Sequence, residues 1–175
     1  LRVHQTESLT LAGSVVAIGA FDGVHRGHQT VIREMVRRSR LEGVLSVVYT
    51  FYPPPRAYFQ GAQILSSSDE KVKLMKELGV EHVVLAKFDG NYLKRTAEDF
   101  IGELAMMKPK SVIVGDDFKF GNKRAGNVSL LREHFPVQSL HPICCAEGER
   151  ISSTRIRELI LQGKQEQALP LLGWS

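Results

Sequence analysis

Long apolar runs are missing from this chain of 175 residues. A membrane-spanning helix needs about 20 consecutive apolar residues, and no stretch approaches that. Nor does a charged segment followed by a long apolar one open the chain, so no secretory signal is expected. Cysteine is scarce: there are two, Cys144 and Cys145, and they are adjacent. Neighbouring Cα atoms lie about 3.8 Å apart, closer than an ordinary disulfide allows. They follow an apolar run and read as reduced strand residues, which fits a reducing compartment. The expected location is the cytoplasm. Three catalytic or binding motifs are also lacking. No G-x-x-x-x-G-K-[ST] occurs. Gly19, Gly23 and Gly27 are spaced by four, which is not the G-x-G-x-x-G dinucleotide fingerprint. No serine or cysteine sits in a nucleophile elbow. A basic stripe interleaved with aromatics is missing too, which argues against nucleic acid as a partner.

What is present suits a globular protein with an anionic substrate. Hydrophobic residues make up 43% and charged residues 24%, with a net charge of +4. A chain of this length is expected to form one domain over residues 1–175 with a real core. Arg33, Arg37 and Arg40 share one face of a helical pattern opposite Val31, Ile32, Met35 and Val36, and read as a solvated face.

Strand and helix patterns alternate along the chain. Strands are expected at Ser14–Gly19, Val44–Phe51, Glu81–Ala86, Ser111–Gly115 and Val137–Cys145. Helices are expected at Arg26–Glu42, after Ser67 to Leu78, after Thr96 up to Pro109, at Asn127–His134, from Ser152 or Ser153 to Leu161, and at Gln165–Leu172. Ser67-x-x-Glu70 and Thr96-x-x-Asp99 have the form of capping boxes. The segment after Pro53-Pro54-Pro55 reads as a loop. Strands joined by helices give an α/β fold: a Rossmann-like doubly wound parallel sheet of about five strands with helices on both faces.

Such sheets bind ligands beyond the carboxyl ends of their strands. Four sequence motifs fall there. Gly19-Ala-Phe-Asp-Gly-Val-His25-Arg-Gly27-His28 follows the first strand and opens a helix, where backbone N–H groups and the helix dipole favour an anion. His25 and His28 are three residues apart and can both donate to one phosphate chain. As a zinc site the pair lacks a third ligand. Ile151-Ser-Ser-Thr154-Arg-Ile-Arg157 is a second helix start, where Ser152, Ser153 and Thr154 can cap or donate to phosphate and Arg157 can fork onto the same anion. On a helical wheel Arg157 falls near Ser153 and Thr154, while Arg155 points away towards solvent or Glu158. Gly115-Asp-Asp117-Phe118-Lys-Phe120-Gly121 and Phe51-Tyr-Pro53-Pro54-Pro55 follow two other strands. Asp22, Asp116 and Asp117 can reach a magnesium ion, and Asp22 can equally brace its turn. The chemistry this set suits is in-line transfer of a nucleotidyl group to a phosphate acceptor. That acceptor is already ionised near neutral pH and needs no general base.

The combination G-x-F-D-x-x-H-x-G-H with I-S-S-T-x-x-R resembles the nucleotidyltransferase superfamily with the H-x-G-H motif. Within it the chain is similar to the FMN adenylyltransferase (FAD synthetase) module of prokaryotic bifunctional enzymes. That closer likeness rests on Thr50-Phe51-x-Pro53-x-Pro55, Gly115-x-Asp117-Phe118-x-Phe120-Gly121-x-x-Arg124-x-Gly126 and Ala168-x-x-Leu171-Leu172-Gly173. The resemblance implies transfer of AMP from ATP to FMN with Mg²⁺, giving FAD and pyrophosphate. It implies catalytic roles for His25, His28 and Arg157, and ATP contacts from Gly19, Phe21, Gly27, Gly115, Ser152, Ser153 and Thr154. Flavin contacts would come from Phe51, Pro53, Pro55, Asp117, Phe118 and Arg124. Magnesium would be held mainly by the ATP phosphates. The family's usual Pro-His-Pro is here Pro53-Pro54-Pro55, and no riboflavin kinase domain is expected in this chain. Two alternatives remain open: a sibling transferase acting on nicotinamide mononucleotide or phosphopantetheine, and a non-catalytic nucleotide or flavin sensor.

Overall fold

The computed structural model describes residues 1–140 and 152–172. The two cysteines and the outer part of the strand expected at Val137–Cys145 lie outside the described residues.

Six strands form one parallel sheet: β1 (Arg2–His4), β2 (Ser14–Ile18), β3 (Leu45–Tyr52), β4 (His82–Lys87), β5 (Pro109–Gly115) and β8 (Val137–Leu140). Their order is β1-β4-β3-β2-β5-β8. After β2 the chain builds outwards on one side through β3 and β4. It then returns to the other side of β2 for β5. The switch in direction therefore falls between β2 and β5, and a crevice opens there at the strands' carboxyl ends. A short antiparallel hairpin, β6 (Lys119–Phe120) with β7 (Gly126–Asn127), stands beyond the end of β5.

The helices are α1 (Arg26–Glu42), α2 (Pro55–Gln60), α3 (Ser68–Glu77), α4 (Gly90–Leu93), α5 (Ala97–Ala105), α6 (Val128–Arg132), α7 (Ser153–Leu161) and α8 (Gln165–Leu172). Alternate strand residues feed two separate cores, as the period of two requires. Val15, Ala17, Val48, Val83 and Ile113 pack with Ile32, Met35 and Val36 of α1 and Met75 of α3. Val16, Val47, Val84, Val112 and Val114 pack with Phe100, Ile101 and Leu104 of α5 and Leu131 of α6. Helices thus cover both faces. A third, smaller cluster of Ile156, Ala168 and Leu171 joins α7 to α8.

The sheet has six strands where about five were expected. The extra one, β1, is a three-residue edge strand beside β4, with Arg2 and Val3 exposed. It is too short and too polar for a periodic signal. The second correction is α2, expected as loop. Pro55 occupies its first turn, where a missing N–H costs nothing.

Candidate active site

A cleft of about 1090 Å³ opens over the carboxyl ends of the central strands. Both helix starts singled out in the sequence border it. On one wall are Gly19, Phe21, Asp22, His25, Gly27 and His28; on another are Ser152, Ser153, Thr154 and Arg157.

Local geometry explains how the first of these is built. His25 is the N-cap of α1, and the backbone N–H of His28 donates to its Nδ1 (3.2 Å). An Nδ1 that accepts must be unprotonated, so the ring proton sits on Nε2. The two imidazoles stack with centroids 3.5 Å apart, and Phe21 meets His28 edge-on at 5.2 Å. His28 Nδ1 is buried without a hydrogen-bond partner. Burial, then the charges of His25, Lys71 and Arg157, push the His28 imidazole well below its ordinary value of 6.5. Gly19 keeps this corner open: a Cβ there would stand 3.1 Å from the Phe21 ring.

Asp22 joins the two loops. Its carboxylate accepts from the backbone N–H of Leu65 (3.0 Å) and Ser66 (3.2 Å) and from the Arg157 guanidinium. Ser153 donates to its carbonyl (2.7 Å). Of the two roles open to Asp22, bracing is the one its geometry shows. Arg157 differs from expectation in the same way. It is buried, its Nη2 is on Asp22, and its Nε donates to the Gln63 carbonyl (2.5 Å). The expected fork onto an anion is thus largely turned onto the protein. Arg155 is half-buried rather than solvated.

The hydroxyls divide their work. Ser152 is the N-cap of α7, accepting from Arg155 N–H (3.1 Å). Ser153 stitches the loops, and Thr154 accepts from Arg56 of α2, which reaches across the mouth of the cleft.

The other half of the cleft is aromatic. Phe51, Phe59, Phe88, Tyr92, Phe100 and Phe118 line it, with ring centroids 5.7–5.9 Å apart among Phe51, Phe88 and Tyr92. Arg95 stands over Tyr92 at 5.1 Å, tied to Glu103 (2.8 Å), which also accepts from Tyr49 (2.9 Å). Pro54, Pro55, Gly115, Asp117 and Arg124 also line the cleft, so every expected site residue but one comes together here. The exception is Pro53, which is not on the wall. The hairpin loop carrying Arg124 is set by Gly121, at φ 78°, where a Cβ would stand 2.7 Å from Ala97 N.

Sequence reasoning did not find Phe59, Phe88, Tyr92, Arg95 and Lys71. The aromatics come from α2, β4's exit and α4, each outside the glycine-rich motifs. Lys71 had one available signal, a charged residue on the inward face of α3 four positions before Met75. Among the described residues no cluster of three or more His, Cys, Asp or Glu side chains is placed to hold a metal ion. No described helix is long and apolar enough to cross a membrane.

A polar corner built from two helix starts and an aromatic chamber share one crevice at the switch point of a parallel sheet, the place where α/β nucleotide-binding folds take their ligands. The model of the FAD synthetase family matches residues 7–155, and the chain belongs to that family. A protein of Geobacillus thermodenitrificans named "Putative bifunctional riboflavin kinase/FMN adenylyltransferase" is 55% identical, over 99% of this chain and 98% of its own length. The bifunctional riboflavin kinase/FMN adenylyltransferase of Escherichia coli K12 is 33% identical over 98% of this chain. The chain spans 58% of that relative's length and of the Buchnera aphidicola one. Among solved structures, one described as a macrolide-efflux protein from Streptococcus pneumoniae superposes with a TM-score of 0.84 at 29% identity, over 98% of this chain and 60% of that one. The pantothenate synthetase of Thermus thermophilus shares the fold at a TM-score of 0.55 and 17% identity, over 97% of this chain and 82% of its own.

Proposed function

We propose that this chain transfers AMP from ATP to FMN, releasing pyrophosphate and forming FAD. The observation that carries this is the division of one cleft. Two helix starts, tied together through Asp22, form a corner suited to a polyphosphate, and the chamber beside it is lined with aromatic rings suited to a flat tricyclic base. Membership of the FAD synthetase family supports the same reaction.

His25 Nε2–H and His28, with the N–H groups that open α1 and α7, bind the ATP phosphates. Gly19, Phe21, Gly27 and Gly115 leave room for the rest of the nucleotide. Phe51, Pro55, Asp117, Phe118 and Arg124 line the flavin's share of the cleft, with Phe88 and Tyr92 beside them. The FMN phosphate is mostly dianionic at neutral pH and attacks the α-phosphorus in line. The site's work is to align the two phosphates and stabilise the charge that gathers on the leaving pyrophosphate. ATP enters as its magnesium complex. Mg²⁺ keeps several waters and takes its remaining ligands mainly from substrate phosphates, which agrees with a donor set in which the Asp22 carboxylate is already occupied. Arg157 acts by holding Asp22 and the start of α7 to the first loop.

The test is FAD formation from FMN and Mg·ATP by the purified chain, with pyrophosphate release as a second readout. No FAD, together with pyrophosphate release on another phosphorylated acceptor, would assign it to a sibling reaction. We also propose that residues 1–175 act as one adenylyltransferase domain, so riboflavin with ATP should give no FMN.

A further inference from the structure

Lys71 is fully buried and stands behind the cleft's wall rather than on it. It lies on the inward face of α3, one turn before Met75. Its Nζ donates to the carbonyls of Ala20 (2.7 Å) and Phe51 (3.0 Å), at the exits of the neighbouring strands β2 and β3. The Ala20 carbonyl also accepts from Thr50 Oγ1 (2.9 Å). A peptide held from two sides is fixed in orientation, and the next residue, Phe21, stands in the left-handed region at φ 48°. Val24 follows at φ 39°, rare for a β-branched residue. Backbone of this kind persists only where its surroundings over-determine it. Phe21 in turn meets His28 edge-on at 5.2 Å. Two contacts therefore separate the buried amine from the imidazole.

We propose that Lys71 is a positioning residue for the adenylyl transfer: its ammonium clamps the Ala20–Phe21 peptide, and through it His28, while placing a positive charge beneath the triphosphate corner. This rests on the function proposed above.

A neutral donor would tie the strands without the desolvation that a buried ammonium suffers. Burial pushes the Lys71 amine down to about 8, with Asp22 opposing that shift. The surrounding groups are Asp22 of the turn, the Tyr52 ring of β3 at 5.9 Å, and, sharing the field at His28, His25 and Arg157. Loss of the Lys71 proton removes both the charge and a donor. Activity is then expected to fall as pH rises past about 8. The fall belongs in kcat/KM, which reports the free enzyme.

The experiment compares wild type with Lys71→Met and Lys71→Arg. Wild-type kcat/KM should show the alkaline limb. Lys71→Met should lose about tenfold or more in kcat, with the KM for ATP changed far less. Its remaining activity should lack the limb. Lys71→Arg, charged throughout, should keep activity within a few-fold and lack the limb too. A Lys71→Met enzyme with wild-type kcat and an unchanged limb overturns the proposal. So does a wild-type profile flat to pH 10, which needs no variant to fold. A second readout stands apart from catalysis. NMR titration of the substrate-free chain should show His28 taking up its proton at higher pH in Lys71→Met than in wild type, because a repelling charge has gone. An unmoved His28 titration also overturns the proposal. A chain that fails to make FAD but shows the His28 shift would refute the proposed reaction and not the electrostatic link.

Discussion

Neutral His28 is a consequence of crowding: burial and three neighbouring cationic or titrating groups hold its proton affinity down. A triphosphate brings the opposite charge to the same place, so Mg·ATP should raise the His28 pKa in an NMR titration. A titration curve that ignores Mg·ATP would put the phosphates elsewhere. His28→Ala should lower kcat by on the order of a hundredfold, the scale of one preorganised donor. Near-normal turnover would leave the ring only its packing against Phe21. Arg157→Ala should do two things. It strands the Asp22 carboxylate, which is 2% exposed, and breaking a buried pair in this way costs about 3–5 kcal/mol. It also releases α7 from the first loop, so kcat/KM should fall by about 100-fold while Arg155→Ala stays within a few-fold. Matched melting curves and kinetics of the two variants decide it; equal losses would mean that the Asp22 pair is not what matters. The helical wheel sets Arg157 and Arg155 on different sides, but a wheel contains nothing of Asp22, 135 residues away. That is why the partner of Arg157 was not legible and its residue number was.

Helix starts are local chemistry, and those were legible. Ser67, Thr96 and Ser152 each cap the helix expected of them. Thr96 forms the full reciprocal box with Asp99, both bonds at 3.0 Å. Thr96→Ala should therefore cost about 1 kcal/mol in chemical denaturation. No change in midpoint would mean that the tertiary contacts of α5 alone fix its start. Short elements behaved differently. The strand β1 exists because β4 offers it an edge, and α2 because its side chains reach Phe88 and Thr154. Both are decided by neighbours distant in sequence, so periodicity carries no trace of them. The same holds for the aromatic chamber, whose six rings come from β3, α2, the exit of β4, α4, α5 and the loop after β5.

At the scale of the whole molecule, stability follows the protonation of histidines in separate parts of the sheet. His4 of β1 and His82 at the start of β4 share a hydrogen bond of 3.0 Å, and both have lowered pKa values, first through burial. His28 is lowered further still. A histidine whose folded pKa lies below its unfolded value of about 6.5 binds fewer protons when folded, so stability is full above that pH and is lost as pH falls. Urea midpoints should thus drop from pH 7.5 to pH 5. The drop should be shallower in His4→Gln, which removes one titrating partner. Parallel slopes for both proteins would remove the pair from the account. The parallel sheet, helices on both of its faces and a ligand crevice beyond its strands' carboxyl ends followed from alternating strand and helix patterns. The coupling of distant histidines did not, because register across β1 and β4 is visible only once the sheet is built.

The link between Asp22 and Arg157 also has a meaning in time. The carboxylate leaves the ribosome early, with β2; its guanidinium arrives only with α7. A growing chain that has laid down most of its sheet still holds a turn with one of its braces missing. A chain stopped before α7 lacks the Ser153 and Arg157 contacts that tie its two loops through Asp22.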